Sequence, residues 1–350
     1  MIIKQFINKK SSTLTYILAK SRGNEALIID PVFEEIDVYL EFLGANELRL
    51  MKAMDTHLHA DHITGLGKIR NITRCMTLAG EQTKMEIVSQ LIADGDDITI
   101  QGLSLKAIYT PGHTSDSYCF YMPGFIFTGD TLFIRGNGRT DFQNGSSADL
   151  HDSLHNKVFT LPEDTVVYPG HDYKGENMST LGQEKRENPR YADHTKAEFI
   201  QIMDNLNLPN PKLMDIALPV NIKTGSGIND GIPPENILDF EQAQVAINDH
   251  TLLIDLREAK EIEKSGAIPG AKHMPYQQFD AFLADTNHPF AKALSDNQQT
   301  IILYCAHGER SALALKALLD KENHSISHIK LGFSGWKKSG GDTCSSIDTL

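Results

Sequence analysis

The chain has 350 residues, and its 33 Lys+Arg against 46 Asp+Glu give a formal charge of −13 and a pI near 5.5. At ~100–200 residues per domain this length suffices for two or three domains with sizeable cores, and 40% hydrophobic with 23% charged residues excludes disorder, collagen and coiled coil. The acidic balance excludes a phosphate-backbone binder, so nucleic acid is no expected partner, and an anionic small substrate has to be captured by a few local cations.

In chain order, short apolar runs split by polar turns predict paired strands at Leu14–Ala19 and Ala26–Asp30. Helical spacing follows around Phe33 to Leu43. A strand from Leu48 to Met54 then runs straight into Asp55-Thr-His-Leu-His-Ala-Asp-His62, with a helical stretch behind it. Further short strands are predicted at Leu103–Tyr109, Tyr118–Tyr121, Phe125–Phe127 and Val166–Tyr168, most ending in Gly, His or Asp. The run from Asn221 to Glu235 is rich in Gly and Pro with little to bury, which predicts a linker at 222–232 between domains 1–221 and 233–350. Beyond it, a strand at Leu252–Leu256, a polar helix, a strand at Thr300–Tyr304 and a helix from about Ser311 alternate as a small α/β domain with a parallel sheet does.

The N-terminal residues carry no secretory pattern, and no stretch reaches the ~20 apolar residues of a spanning helix. The four cysteines (Cys75, Cys119, Cys305, Cys344) have no framework spacing. Cys75 and Cys119 read as core or near-core residues and Cys344 as a tail residue. The expectation is a protein of a reducing compartment, cytoplasmic, with no membrane partner; a homo-oligomer is compatible with the sequence.

Three imidazoles and a carboxylate within six residues, His57-Leu-His-Ala-Asp-His62, exceed what a polar loop needs. Other candidates sit just beyond strands: His113 in Thr-Pro-Gly-His-Thr, Asp130 in Phe-Thr-Gly-Asp-Thr and His171 in Tyr-Pro-Gly-His-Asp-Tyr. Imidazole with carboxylate suits Zn, Fe or Mn rather than Ca or Mg.

This pattern resembles the metallo-β-lactamase superfamily, which implies an αββα sandwich of two mixed sheets with a metal at its mouth. Phe133-Ile-Arg-Gly-Asn-Gly-Arg-Thr-Asp-Phe-Gln143, His171-Asp-Tyr173 and Asn188-Pro-Arg190 resemble the persulfide dioxygenases within it. The resemblance implies one iron(II) per chain on His57, His113 and Asp130, a two-His, one-carboxylate face with positions open for a sulfur and O₂. It implies that Asp61, His62 and His171, which match the second metal site of the superfamily's hydrolases, stay empty, and that Arg139 and Tyr173 neighbour the substrate. Asn137 stands where some members have a Cys. A binuclear glutathione thioester hydrolase of the glyoxalase II type is the alternative, since all its ligand types are present.

In the second domain a strand delivers Cys305 into Ala306, His307, Gly308, Glu309 and Arg310 before a helix. Such a loop aims backbone N–H groups and a helix N-terminus inward and favours a thiolate. With Asp255-Leu-Arg257, Gly266-Ala-Ile-Pro-Gly-Ala271 and Gly332-Phe-Ser-Gly-Trp336, it resembles the rhodaneses. That implies a Cys305 persulfide held by Arg310 and the loop from Ala306 to Glu309. Taken together, the two resemblances imply a fusion that oxidises glutathione persulfide with O₂ and water to glutathione and sulfite. They also imply that it moves sulfane sulfur between thiosulfate or sulfite and a thiol.

Overall fold

The computed structural model describes all residues except 174, 177, 210–212, 225–227, 297–298 and 320–324. The chain separates into two compact units, Met1–Thr224 and Gly225–Leu350. Within the expected linker 222–232, Ile222 ends the helix Met214–Ile222, and residues 225–227 lie outside the described set, as does Lys174.

In the first unit, strands β1 (Ile2–Ile7), β2 (Leu14–Ala19), β3 (Glu25–Ile29), β4 (Arg49–Met54), β5 (Met76–Gly80) and β6 (Gln90–Ile92) form one mixed sheet in that order. Strands β7 (Asp97–Ile100), β8 (Leu103–Tyr109), β9 (Tyr118–Met122), β10 (Phe125–Gly129) and β11 (Val166–Pro169) form the second, in the order β11-β10-β9-β8-β7. All six residues of β2 are buried, as a strand covered on both faces must be. Alternate side chains serve two cores. Ile17 and Ala19 pack under Ile36, Tyr39 and Leu43 of the helix Ile36–Ala45. Tyr16 faces the other sheet, meeting Phe127 and Tyr168 at ring-centroid distances of 5.2 and 5.4 Å and donating its hydroxyl to Pro169 O at 2.6 Å. The second sheet is covered by Leu150, Leu154, Leu181 and Phe199 from three helices, packed with Cys119, Ile126 and Val167. The result is the expected αββα sandwich.

Strands β8 and β10 are both antiparallel to β9, and β11 is parallel to β10, so all three end at one edge of the second sheet. His113, Asp130 and His171 follow those ends. The loop after β4 carries the histidine cluster.

The second unit is a parallel sheet of β12 (Ile237–Leu238), β13 (Thr251–Asp255), β14 (Lys272–His273), β15 (Thr300–Tyr304), β16 (Ile326–Ile329) and β17 (Asp348–Thr349), ordered β12-β16-β15-β13-β14-β17. Leu253, Ile302, Tyr304 and Ile329 pack with Ala243, Phe333 and Trp336 from flanking helices. Cys344 departs from the tail reading: its backbone pairs in both directions with Ala267 at 2.9 Å, and the residues after it add β17 to the sheet. Cys75 and Cys119 are buried, as expected. Among the described residues, no helix is long and apolar enough to cross a membrane.

Candidate functional site

The loop after β4 is held by partners far away in sequence. Asp30, at the end of β3, accepts from Thr56 N at 2.7 Å and Thr56 Oγ1 at 2.9 Å, and lies 3.1 Å from His59 Nε2. Asp116 accepts from Leu58 N. Asn221, fully buried, donates to His59 O at 2.9 Å and His62 O at 2.8 Å while accepting from Thr64 N at 2.9 Å. Read in sequence only as the end of a domain, Asn221 is a staple across the histidine loop.

Ligand-type atoms of His57, His113 and Asp130 lie within 4.8 Å of one another. His113 Nδ1 is 2.6 Å from the Arg139 carbonyl oxygen, which can only accept, so this nitrogen carries the proton and Nε2 is left as a lone pair, 3.5 Å from Asp130 Oδ2. His57 Nδ1 lies 3.0 Å from Thr56 Oγ1, which leaves its opposite nitrogen for the cluster. Asp130 Oδ1 and His62 Nε2 are buried without a hydrogen-bond partner among the described residues. Fixed far-side nitrogens, bare near-side donors and an orphaned carboxylate oxygen are what a transition-metal ligand set requires, so the residues present fit a metal ion. Gly138 belongs to the construction, because a Cβ there would run into Asp130 O and the His113 ring.

The remaining candidates adjoin this set. His171 Nε2 is 3.5 Å from both Asp130 Oδ1 and Asp61 Oδ2, and Asp61 Oδ2 is 3.2 Å from His62 Nδ1. Burial disfavours the His171 imidazolium, but Asp130 and Asp61 outweigh it and hold its pKa above the usual value. Burial likewise pushes the Asp61 carboxyl up, and the neighbouring His62 and His171 overcome this and hold it well below the usual range. At His57, burial and the neighbouring His59 keep the imidazole neutral far into the acid range.

These residues open on a cavity of ≈ 840 Å³ that Lys10, Arg139, Tyr173 and Arg190 also line. The Arg139 guanidinium is engaged: Nε and Nη2 meet Asp141 at 2.5 Å, Nη1 donates to Pro209 O at 2.7 Å, and the group lies over the Phe142 ring. Its backbone oxygen, not its charge, is what touches a candidate ligand. Tyr173 stacks on His171 at 5.3 Å and is largely exposed. Arg190 is a cation the sequence marked only as part of a motif; it donates to Asn137 O at 2.5 Å, and burial lowers its pKa.

In the second unit, β15 leads into the loop from Cys305, and the helix Glu309–Leu319 begins two residues earlier than predicted, which places Arg310 in its first turn. Cys305 is 1% exposed. Its carbonyl accepts from Phe333 N at 2.7 Å, and Ala306 O accepts from Ser334 N at 2.9 Å, so the segment after β16 clamps the loop. Gly308 has φ +88°, and a Cβ there would collide with Lys330 O. Arg310 is fully buried and bidentate to Glu261, both contacts at 2.7 Å, and this pair outweighs burial to keep its pKa above the usual value. His307, partly buried on the same loop, has its pKa lowered by burial and by Arg310.

Comparison with known proteins accords with both halves. Residues 9–171 match the metallo-beta-lactamase superfamily and residues 239–339 the rhodanese-like domain. The mitochondrial persulfide dioxygenase ETHE1 of Mus musculus is 40% identical over 232 residues, covering 64% of this chain and 89% of the mouse protein, and the Homo sapiens protein gives the same figures. The crystal structure of ETHE1 from Myxococcus xanthus is 44% identical, covers 64% of this chain and 100% of its own, and superposes with a TM-score of 0.63. A metallo-beta-lactamase structure from Staphylococcus aureus covers 95% of this chain at 22% identity and a TM-score of 0.58, a likeness of fold. The chain therefore belongs to the metallo-beta-lactamase superfamily, in its N-terminal region to the family of the ETHE1 persulfide dioxygenases, and carries a C-terminal rhodanese domain.

Proposed function

We propose that residues 1–221 oxidise glutathione persulfide with O₂ and water to glutathione and sulfite on one iron(II) per chain, and that residues 233–350 transfer sulfane sulfur through Cys305. The observation that carries the first half is the facing set of His57, His113 and Asp130, two nitrogens and one carboxylate with their far sides already satisfied. Iron(II) held there supplies one-electron chemistry toward O₂ and an acid for the persulfide sulfur. The chain's own residues do the positioning. Arg139 O sets the His113 tautomer, Thr56 and Asp30 hold the loop of His57, and the cations Lys10 and Arg190 offset the carboxylates at a cavity that has to admit an anion.

In the second half, Cys305 thiolate attacks the outer sulfur of thiosulfate. The new Sγ–S bond forms as the old S–S bond breaks, and sulfite leaves with the electron pair. An acceptor thiolate then takes the outer sulfur and returns the pair to Sγ. Arg310 and the loop N–H groups stabilise the anions on both sides of this exchange.

The test is oxygen uptake by anaerobically purified, iron-analysed protein given glutathione persulfide, with His113→Ala as control. Uptake tracking about one iron per chain and lost in the variant is the expected result. One observation favours the binuclear alternative: His171 lies 3.5 Å from both Asp130 and Asp61. Two metals per chain with hydrolysis of S-lactoylglutathione, and no uptake, would replace the first half of the proposal with that reading.

A further inference from the structure

Behind the Cys305 loop lies a buried pair that the transfer scheme above leaves unused. Ser311 Oγ is 3.8 Å from Cys305 Sγ, 3.1 Å from Gly308 O and 3.2 Å from His328 Nδ1, and both Ser311 and His328 are fully buried. His328 projects from β16, the strand beside β15, and its Nε2 is buried with no hydrogen-bond partner among the described residues. Three partners surround a hydroxyl that has one proton to give, so the tautomer of His328 decides where that proton goes.

Burial, with Lys316 adding to it, pushes the His328 pKa down to about 4, so the ring is neutral at working pH and carries one N–H. With the proton on Nε2, a donor would be buried with nothing to accept it, and Ser311 would spend its proton on Nδ1. With the proton on Nδ1, His328 donates to Ser311 Oγ, and the serine proton is free for either Gly308 O or Cys305 Sγ. Orphaned buried N–H groups are the rarer and costlier case, which favours the second arrangement.

We propose that Ser311 is a catalytic hydrogen-bond donor to the Cys305 sulfur, and that His328 is the positioning residue that keeps the serine proton available for it. The proposal rests on the transfer role of Cys305. While Sγ carries the outer sulfur, the serine proton rests on Gly308 O. When an acceptor thiolate removes that sulfur, the Sγ–S bond breaks, its electron pair returns to Sγ, and the serine proton turns to meet the new thiolate. No atom is gained or lost by the relay. It acts on Sγ as a leaving group, so it accelerates discharge of the persulfide more than its formation. Other charged or titratable groups near Cys305 are Arg310, bound to Glu261 with Glu258 beyond, and His307 and Glu309 on the loop itself.

The experiment uses the full chain, with Ser311→Ala and His328→Leu to remove the relay, and Ser311→Thr and His328→Asn to restore a hydroxyl and a donor at the Nδ1 position. Charging is read as the single-turnover burst of sulfite from thiosulfate. Discharge is read by mass spectrometry of the Cys305 persulfide mixed with glutathione. Discharge slows about tenfold in the first two variants, as loss of one hydrogen bond to a charged sulfur predicts. Charging, read at a pH above the alkylation profile of every variant, stays within about twofold, and the second two variants recover most of the loss. The pH profile for iodoacetamide alkylation of Cys305, read on its own peptide, moves to higher pH in Ser311→Ala and His328→Leu only.

Unchanged discharge in folded Ser311→Ala overturns the proposal, as does an equal fall in both half-reactions that Thr and Asn do not rescue. If the unaltered chain takes no sulfur from thiosulfate, the transfer reading has failed. The alkylation profile then decides the relay separately, and an unshifted profile overturns it.

Discussion

The two candidate sites are built in opposite ways. The Cys305 loop is contiguous: strand, cysteine, a turn over residues 306–308 and helix follow one another, and Arg310 lies five positions from Cys305. The candidate metal cluster is assembled from four strand ends spread over more than a hundred residues, with its histidine loop stapled by Asn221. A contiguous site inherits its geometry from local backbone preference. A dispersed one inherits it from the sheet that brings the strand ends together, and it is exposed to any change that moves one of them.

The sharpest break of this comparison is a pair of variants. His113→Ala is expected to abolish persulfide-dependent oxygen uptake, at least about 100-fold, while leaving sulfur transfer intact. Cys305→Ser is expected to do the reverse. Oxygen electrode and sulfite assays on both proteins check this, and one variant losing both activities would refute two independent sites.

Next comes the dispersed site's remote staple. Asn221→Ala leaves two carbonyls and one N–H of the histidine loop without partners and is expected to cost about 3 kcal/mol. Its metal retention should fall as well. Urea unfolding and metal analysis after dialysis measure both, and a variant that keeps its metal would show that the loop holds its own shape.

A comparable effect is expected in the second unit, with a pH signature. His328 titrates near 4 folded against 6.5 unfolded, so the unfolded chain takes up the proton first as pH falls. The His328 contribution is whole above pH 6.5, declines between 6.5 and 4, and is flat below. The loss is about 3 kcal/mol at ~1.4 kcal/mol per pKa unit. His328→Leu should remove that segment of the stability curve, and a curve superimposable on the unaltered protein's would contradict the burial argument.

The smallest effect belongs to the rim. Lys10 and Glu34 pair at 3.2 Å with side chains 79% and 52% exposed, and Lys10→Ala should change stability by less than about 0.5 kcal/mol. Both residues line the cavity, so a change in KM for an anionic persulfide without a change in unfolding midpoint would assign Lys10 to capture rather than to the fold.

Legibility followed the same division. The cysteine loop, the histidine motif and the strands leading into them could be read from local pattern, because turn residues and apolar runs act over a few positions. Arg139 shows where that reading stops. The resemblance implied a place beside the substrate; its guanidinium is bound to Asp141 and Pro209, and its carbonyl orients His113. No residue pattern announces a backbone oxygen.

By itself, then, the sequence determined the αββα and parallel α/β classes and the family of each half, since these are written in periodicity and short motifs. Only the tertiary structure decided that His113 presents Nε2, that Asn221 closes the histidine loop, that the Cys344 backbone pairs with Ala267, and that His328 stands behind Ser311. Each of those depends on a hydrogen bond or packing contact between residues distant in sequence, and such contacts come into being only when the sheets place the partners within about 3 Å of each other.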